Sequence, residues 1–210
     1  MNRGEKVHSG TRYLFILLVC YLGLWIALAI NPVDRGDWLL ENLLVFAIFL
    51  VLGLTYRRFR FSTFSYTLFV LFLVLHAFGA HYTYAKVPAG FWLADVLHLG
   101  RNHFDRLVHF AFGLLIVYPM RELLVRSAGV KARWVAALAL IVIFALSSFF
   151  EIVEAIVAQL VHPDLGSAYL GTQGDIWDAQ KDMVAALLGA LVTTGLSRFL
   201  PRAARKAQWG

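Results

Sequence analysis

The sequence predicts an all-α, polytopic membrane bundle of six transmembrane helices with both termini in the cytoplasm. Three observations carry that prediction. Hydrophobic residues make up 60% of the chain and charged residues only 15%, against about 25% charged in soluble domains. The apolar residues come in runs that approach the ~20 a helix needs to cross a bilayer. Lys and Arg fall in short clusters between those runs, the distribution that the positive-inside rule describes.

Spans and short connections take up nearly all of the 210 residues, so a single membrane domain over 1–210 is expected. A net charge of +6 suggests nucleic acid only until position is considered. The clustering between spans assigns that charge to the bilayer surface, and no nucleic-acid partner is expected. The one cysteine, Cys20, lies within an apolar run, which leaves no intramolecular disulfide and no redox motif.

The first span, 13–30, follows Arg12 and ends at Asn31-Pro32. A positive start, an apolar core and Ala27-x-Ala29 also fit a cleavable signal peptide, but the run is long for one and an uncleaved anchor is expected. An acidic loop with Asp34, Asp37 and Glu41 leads into the second span, 38–56, which runs into Arg57, Arg58 and Arg60. The third, 61–84, carries His76 and His81 in its last third. In the connection that follows, Pro88-Ala-Gly90 signals a turn and 91–99 an interfacial helix.

The fourth span, 105–119, ends at Tyr118-Pro119, ahead of Arg121, Glu122 and Arg126. The fifth, 134–160, carries Glu151 and Glu154 near its far end. A glycine-rich loop then reaches Asp175, Asp178 and Asp182 at the start of the sixth, 176–199, which a basic tail of Arg202, Arg205 and Lys206 follows. Alternate sides of this arrangement hold 14 and 5 of the 19 Lys and Arg residues. The five are Arg35, Lys86, Arg101, Arg106 and Lys181, so their side faces outward.

That orientation gathers the polar residues at one end. His76, His81, Asp105, His109, Glu151, Glu154, Asp178 and Asp182 all fall within a few helical turns of the outer surface, at ~1.5 Å per residue. Asp105 and His109 are spaced i,i+4 and Glu151 and Glu154 i,i+3, so each pair shares a helix face. Asp175, Asp178 and Asp182 form one stripe, with Arg106 and Lys181 near enough to balance part of it. His76 and His81 lie ~140° apart on a regular helix, so only one of them faces the cluster. An ionised group in hydrocarbon costs ~3 kcal/mol on insertion scales, and such groups mark functional interiors.

The bland reading, charges bonded to one another at the water interface, is expected for Asp34, Asp37, Glu41, Asp95 and Asp164. His162 is expected in solvent. Gly79, Gly113, Gly189 and Gly195 are expected to allow close helix approach.

Long motifs add a resemblance. His81-Tyr-Thr-Tyr-Ala-Lys-Val-Pro88, Arg101-Asn-His-Phe-Asp-Arg-x-x-His-Phe110, Tyr118-Pro-x-Arg-Glu122 and Gly171-Thr-Gln-Gly-Asp-x-x-Asp-x-Gln-x-Asp-Met183 resemble the YjdF-like family of predicted bacterial inner-membrane proteins. The resemblance implies a bacterial inner-membrane location and supplies no reaction. A remoter likeness is to the VanZ-like superfamily. There Asp105, His109 and Phe110 match one helix start, Glu151 or Glu154 the next element, and Asp178 or Asp182 with Gly189 a third. Arg106 stands where that pattern has lysine, which keeps the charge but changes the donor geometry.

Three functions fit these residues. The first is an outward-facing enzyme on a lipid-linked or phosphate-containing envelope substrate, with a Zn, Mn or Fe ion in a carboxylate–histidine site. Its candidate metal ligands are His76 or His81, His109, Glu151, Glu154 and Asp178, with Asp105 orienting a histidine. Asp105, Arg106, His109, Glu154, Asp178 and Asp182 are its candidate catalytic residues. Arg101, Asn102, His103 and Lys181 are candidates for substrate binding. No HExxH or similar diagnostic metal signature is present. The second function is a proton- or ion-coupled transporter or flippase using the same groups as a relay. The third is a non-catalytic envelope component in which the cluster is a cap of salt bridges.

Overall fold

The computed structural model describes residues 3–199, so Arg202, Arg205 and Lys206 of the basic tail lie outside it. In chain order the helices are α1 (Arg3–Leu28), α2 (Arg35–Thr55), α3 (Thr63–His81), α4 (Pro88–Val96), α5 (Phe104–Arg126), α6 (Ala132–Leu160), α7 (Pro163–Leu170) and α8 (Asp178–Phe199). No strand occurs among the described residues. Among the described residues, five helices are long and apolar enough to cross a membrane: α1 from Gly10, α2, α3, α5 and α6. The expected sixth span is α8, 22 residues long, with Asp178, Lys181 and Asp182 in its first two turns.

Local chemistry sets the boundaries. Asp34 caps α2 by accepting from the Gly36 and Asp37 amides at 2.8 and 3.0 Å. Pro88 opens α4, where a missing N–H costs nothing. Two boundaries differ from the expectation. The fourth span does not stop at Tyr118-Pro119, because α5 carries the buried Pro119 inside it and runs on to Arg126. Proline is tolerated within a packed membrane bundle because neighbouring groups satisfy the freed backbone. The third span stops at His81 instead of continuing to 84, because Thr83 and Tyr84 take left-handed φ values of 53° and 49°. That turn folds the Tyr84 ring back over Gly79, where any Cβ would collide with it.

The tightest packing joins α5 to α8. A Cβ on Gly113 would overlap the Ala186 carbonyl, and one on Gly189 would overlap that of Phe110. Ala186 and Ala190 are fully buried beside them. This is the small-residue seam by which membrane helices bring their backbones into contact. The Thr193 hydroxyl donates across it to the Leu114 carbonyl at 2.6 Å. Gly195, expected to do the same work, faces open space. Phe61, Phe69, Phe72, Val108, Ile116 and Val117 make up much of the core that α3 and α5 share.

At the end of the bundle opposite His81, a buried carboxylate ties α3 to α5. Glu122 accepts from the Ser62 amide and hydroxyl, both at 2.8 Å, and from the Ser65 hydroxyl and Arg126. Ser62 also caps α3, so one acid holds a helix start in place.

Two outcomes follow. Gly189→Val should lower the melting temperature in detergent, at about 1–3 kcal/mol for an overpacked contact, while Gly195→Ala, which meets open space, should not lower it. Glu122→Ala should cost about 3 kcal/mol or more in the same melt, because several buried donors lose their acceptor together.

Candidate functional site

The mouths of α5 and α8 meet through a two-way amide clasp. The Asn102 amide donates to Gln173 Oε1 at 3.1 Å, and Gln173 Nε2 returns a bond to the Asn102 carbonyl at 2.9 Å. The Asn102 side chain donates to the Val87 carbonyl at 2.9 Å and accepts from the Phe104 amide at 2.9 Å, opening α5. Gly90 leaves room for it, since a Cβ there would overlap Asn102 Oδ1. On the α8 side, Gln173 and Gly174 take φ values of 49° and 85°, and Asp175 turns the chain by accepting from the Trp177 amide at 3.1 Å.

Across this clasp lies an ion network. Arg101 donates to Asp178 Oδ1 at 2.7 Å and to the Thr172 carbonyl at 2.5 Å. Arg106 donates to the same Asp178 oxygen at 2.6 Å, to Asp175 Oδ2 at 3.3 Å and to His103 Nδ1 at 3.1 Å. Lys181 donates to Asp175 Oδ2 at 2.6 Å. That hydrogen bond, with others from the Trp177 amide and Arg106, pulls the Asp175 carboxyl down to about 2. Burial, and then the two arginines, hold His103 below the ordinary histidine range, so it meets Arg106 as a neutral acceptor.

Beneath the network the pairing becomes incomplete. One carboxylate oxygen from each of Asp105, Asp178 and Asp182 lies within 4.8 Å of the other two. Asp182 is 2% exposed, and its Oδ1 accepts no hydrogen bond, although Arg106 Nε stands 3.5 Å away. His109 Nε2 sits between Asp105 Oδ1 at 3.6 Å and Glu151 Oε1 at 3.4 Å. Glu151 Oε1 is also buried without a hydrogen bond. Glu154 is one turn along the same face of α6, near enough to Asp105, Glu151 and Glu41 to feel their charge.

Compared with known proteins, the chain matches the family described as "Predicted membrane protein (DUF2238)" over residues 13–202. The chain belongs to that family. It is 40% identical over 192 residues to the "Inner membrane protein YjdF" of Escherichia coli (strain K12), an alignment covering 90% of this chain and 88% of that protein. No solved structure matches. The likeness to the VanZ-like superfamily rests on the motifs alone.

In this DUF2238 protein the structure redistributes several of the expected site residues. Asp105, His109, Glu151, Asp178 and Asp182 come together, with Glu154 alongside and Arg101, Arg106 and Lys181 around them. His76 does not join the expected ligand set. Its Nε2 is bonded to the Glu41 carbonyl at 3.0 Å and its Nδ1 to the Tyr84 hydroxyl at 2.5 Å, so neither nitrogen is free. His81 turns to the α1–α2 corner, donating from Nδ1 to the Leu28 carbonyl at 2.7 Å. Asn102, expected to bind substrate, is buried and occupied by the clasp.

Asp175 accepts from Arg106 and Lys181, the two cations expected to balance part of its stripe. Two other residues outgrow their expected roles. Asp37 and Glu41, expected at the water interface, are 1% and 5% exposed, and both oxygens of Asp37 lack a hydrogen bond. Their i,i+4 spacing on the first turns of α2 hinted at one inward face. Asp164 and His162 stand in solvent as expected, with side chains 96% and 77% exposed.

The depressed Asp175 carboxyl gives a pH signature. Its stabilisation is fully present above the ordinary value of 3.8 and is lost as pH falls towards about 2. The stability difference between wild type and Asp175→Asn, followed by thermal melts, should be constant above 3.8 and shrink through that window.

Proposed function

We propose that this chain is a divalent-metal-dependent membrane enzyme acting on a lipid-linked or phosphate-containing envelope substrate. In this reading α8 is a sixth span, both termini are cytoplasmic, and the site faces the periplasm or outer side. The split of 14 and 5 Lys and Arg residues supports that orientation. The printed name of the Escherichia coli relative supports the inner membrane.

One observation carries the proposal. The Asp105, Asp178 and Asp182 oxygens converge within 4.8 Å while a buried oxygen of Asp182 has no hydrogen bond. A buried carboxylate oxygen without a hydrogen bond is costly, and a cation shared by the three carboxylates would remove that cost. An all-oxygen set suits Mg or Mn better than the softer ions that a histidine-rich set would select. His109, with Asp105 and Glu151 on either side, is the adjoining nitrogen, and it favours Mn over Mg.

The roles follow from position. Asp105, Asp178 and Asp182 would hold the cation, and a cation so held polarises a phosphate oxygen or lowers the pKa of its water. His109 can accept a proton at Nε2, with the carboxylates of Asp105 and Glu151 placed to stabilise the imidazolium. Glu154 adds a further proton acceptor on the same face. Arg101 and Arg106 fix Asp178 by sharing one of its oxygens, and Lys181 restrains Asp175.

Purified protein in detergent should bind Mn²⁺ stoichiometrically, as read by electron paramagnetic resonance. Asp182→Asn should weaken that binding by about 100-fold, with little change in melting temperature. If wild type binds no Mn²⁺ and Asp182→Asn only lowers the melting temperature, the cluster is a salt-bridge cap and the enzyme reading is wrong.

A further inference from the structure

Beside the acidic trio the outer surface of α8 opens into a groove of about 350 Å³, lined by Arg106, Gln180, Lys181, Val184, Ala185 and Leu188. Its α8 residues Lys181, Val184, Ala185 and Leu188 follow i, i+3, i+4 and i+7, so they form one stripe ~10 Å long at ~1.5 Å per residue. The stripe is charged only at its outer end. Val184 and Leu188 are each 51% exposed, on a helix that also presents Leu191 and Val192 outward.

The cations at the head of this groove are out of place by the rule that governs the others. The loops read from the sequence as outward carry only five of the 19 Lys and Arg residues, yet Arg101, Arg106 and Lys181 meet at this one point. Positive charge on that side does nothing for topology, so its concentration needs a local cause. Arg106 also connects the groove to the trio, lying 2.6 Å from Asp178 and 3.5 Å from Asp182. Lys181 is 48% exposed at its side chain and held by Asp175.

We infer that the groove seats a phosphate-bearing lipid, with its phosphate at Arg106 and Lys181 and one hydrocarbon chain along Val184, Ala185 and Leu188. The inference rests on the metal reading in one respect. Once Asp178 shares a divalent cation with Asp105 and Asp182, Asp175 is the carboxylate left to balance Arg101, Arg106 and Lys181. Metal binding therefore frees cationic charge for an anionic headgroup, and the headgroup arrives beside the ion. The chain's position makes the approach lateral, from the outer leaflet. A water-soluble phosphate would have no use for the apolar stripe. Ile176 and Trp177, 85% and 59% exposed on the turn before α8, suit the bilayer interface at the same level.

The test uses the full chain in neutral-lipid nanodiscs, with phosphatidic acid and diacylglycerol as probes and Mn²⁺ binding measured in parallel. Wild type with Mn²⁺ should prefer phosphatidic acid by about tenfold or more, as two nearby cations allow. Val184→Trp and Leu188→Trp should abolish the preference while keeping Mn²⁺ bound, and Lys181→Gln should weaken it. Val192→Trp, one turn beyond the groove on the same helix, should change nothing. Equal binding of the two lipids, unaltered preference in both groove variants, or displacement of phosphatidic acid by equimolar inorganic phosphate would overturn the inference. Lipid preference without any Mn²⁺ binding would sink the metal reading and leave the groove standing.

Discussion

The contact on which the site depends is the backbone approach of α5 to α8. Gly113 and Gly189 remove the side chains that would hold the two helices apart, and Ala186 and Ala190 fill the seam with methyl groups. Helices this close share their register closely. The first turn of α8 is then fixed against the first turn of α5, and Asp178 and Asp182 are brought to Asp105. The amide clasp of Asn102 and Gln173 repeats the same alignment in the connecting loops, so the mouth is held from below and above.

Charge placement follows from that alignment. At the rim, where water reaches, acids and bases are paired: Arg101 and Arg106 share Asp178, and Lys181 closes on Asp175. One or two turns deeper the acids outnumber the bases, and Asp182 and Glu151 each keep a buried oxygen without a hydrogen bond. A network built for stability alone would pair these groups or replace them with apolar ones, since an incompletely satisfied buried network is costly. At the other end of the bundle Glu122 shows what full satisfaction looks like, with two serines and an arginine around one carboxylate. The contrast between Glu122 and the Asp182 and Glu151 oxygens is a physical sign that the acidic cluster has work to do.

Much of this was legible in the residues. The apolar runs located the spans, the Lys and Arg clusters divided the loops into two classes, and helical spacing put Asp105 with His109 and Glu151 with Glu154. Three of the four glycines read as packing residues do sit under a close neighbour. Pro119 misled because a proline ends a helix only where water must satisfy the freed carbonyl, and inside a bundle it need not. His76 misled for a related reason. Depth and residue type made it a ligand candidate, but a turn of left-handed residues brought Tyr84 back to occupy its ring nitrogen.

What the sequence alone determined is the class of molecule and the end at which its ionisable groups gather, because both depend on hydropathy and charge along the chain. Membership of the DUF2238 family is likewise a property of the linear order. Tertiary structure alone decided which of those groups meet. Periodicity reports the face a residue occupies on its own helix and says nothing about which helix lies opposite. That choice was made by small residues one to two turns below the site, which set how closely α5 and α8 approach. It brought Asp178 and Asp182 to Asp105, while Tyr84 and the Glu41 carbonyl occupied His76, the Leu28 carbonyl took His81, and Asp37 and Glu41 were buried where the sequence suggested water.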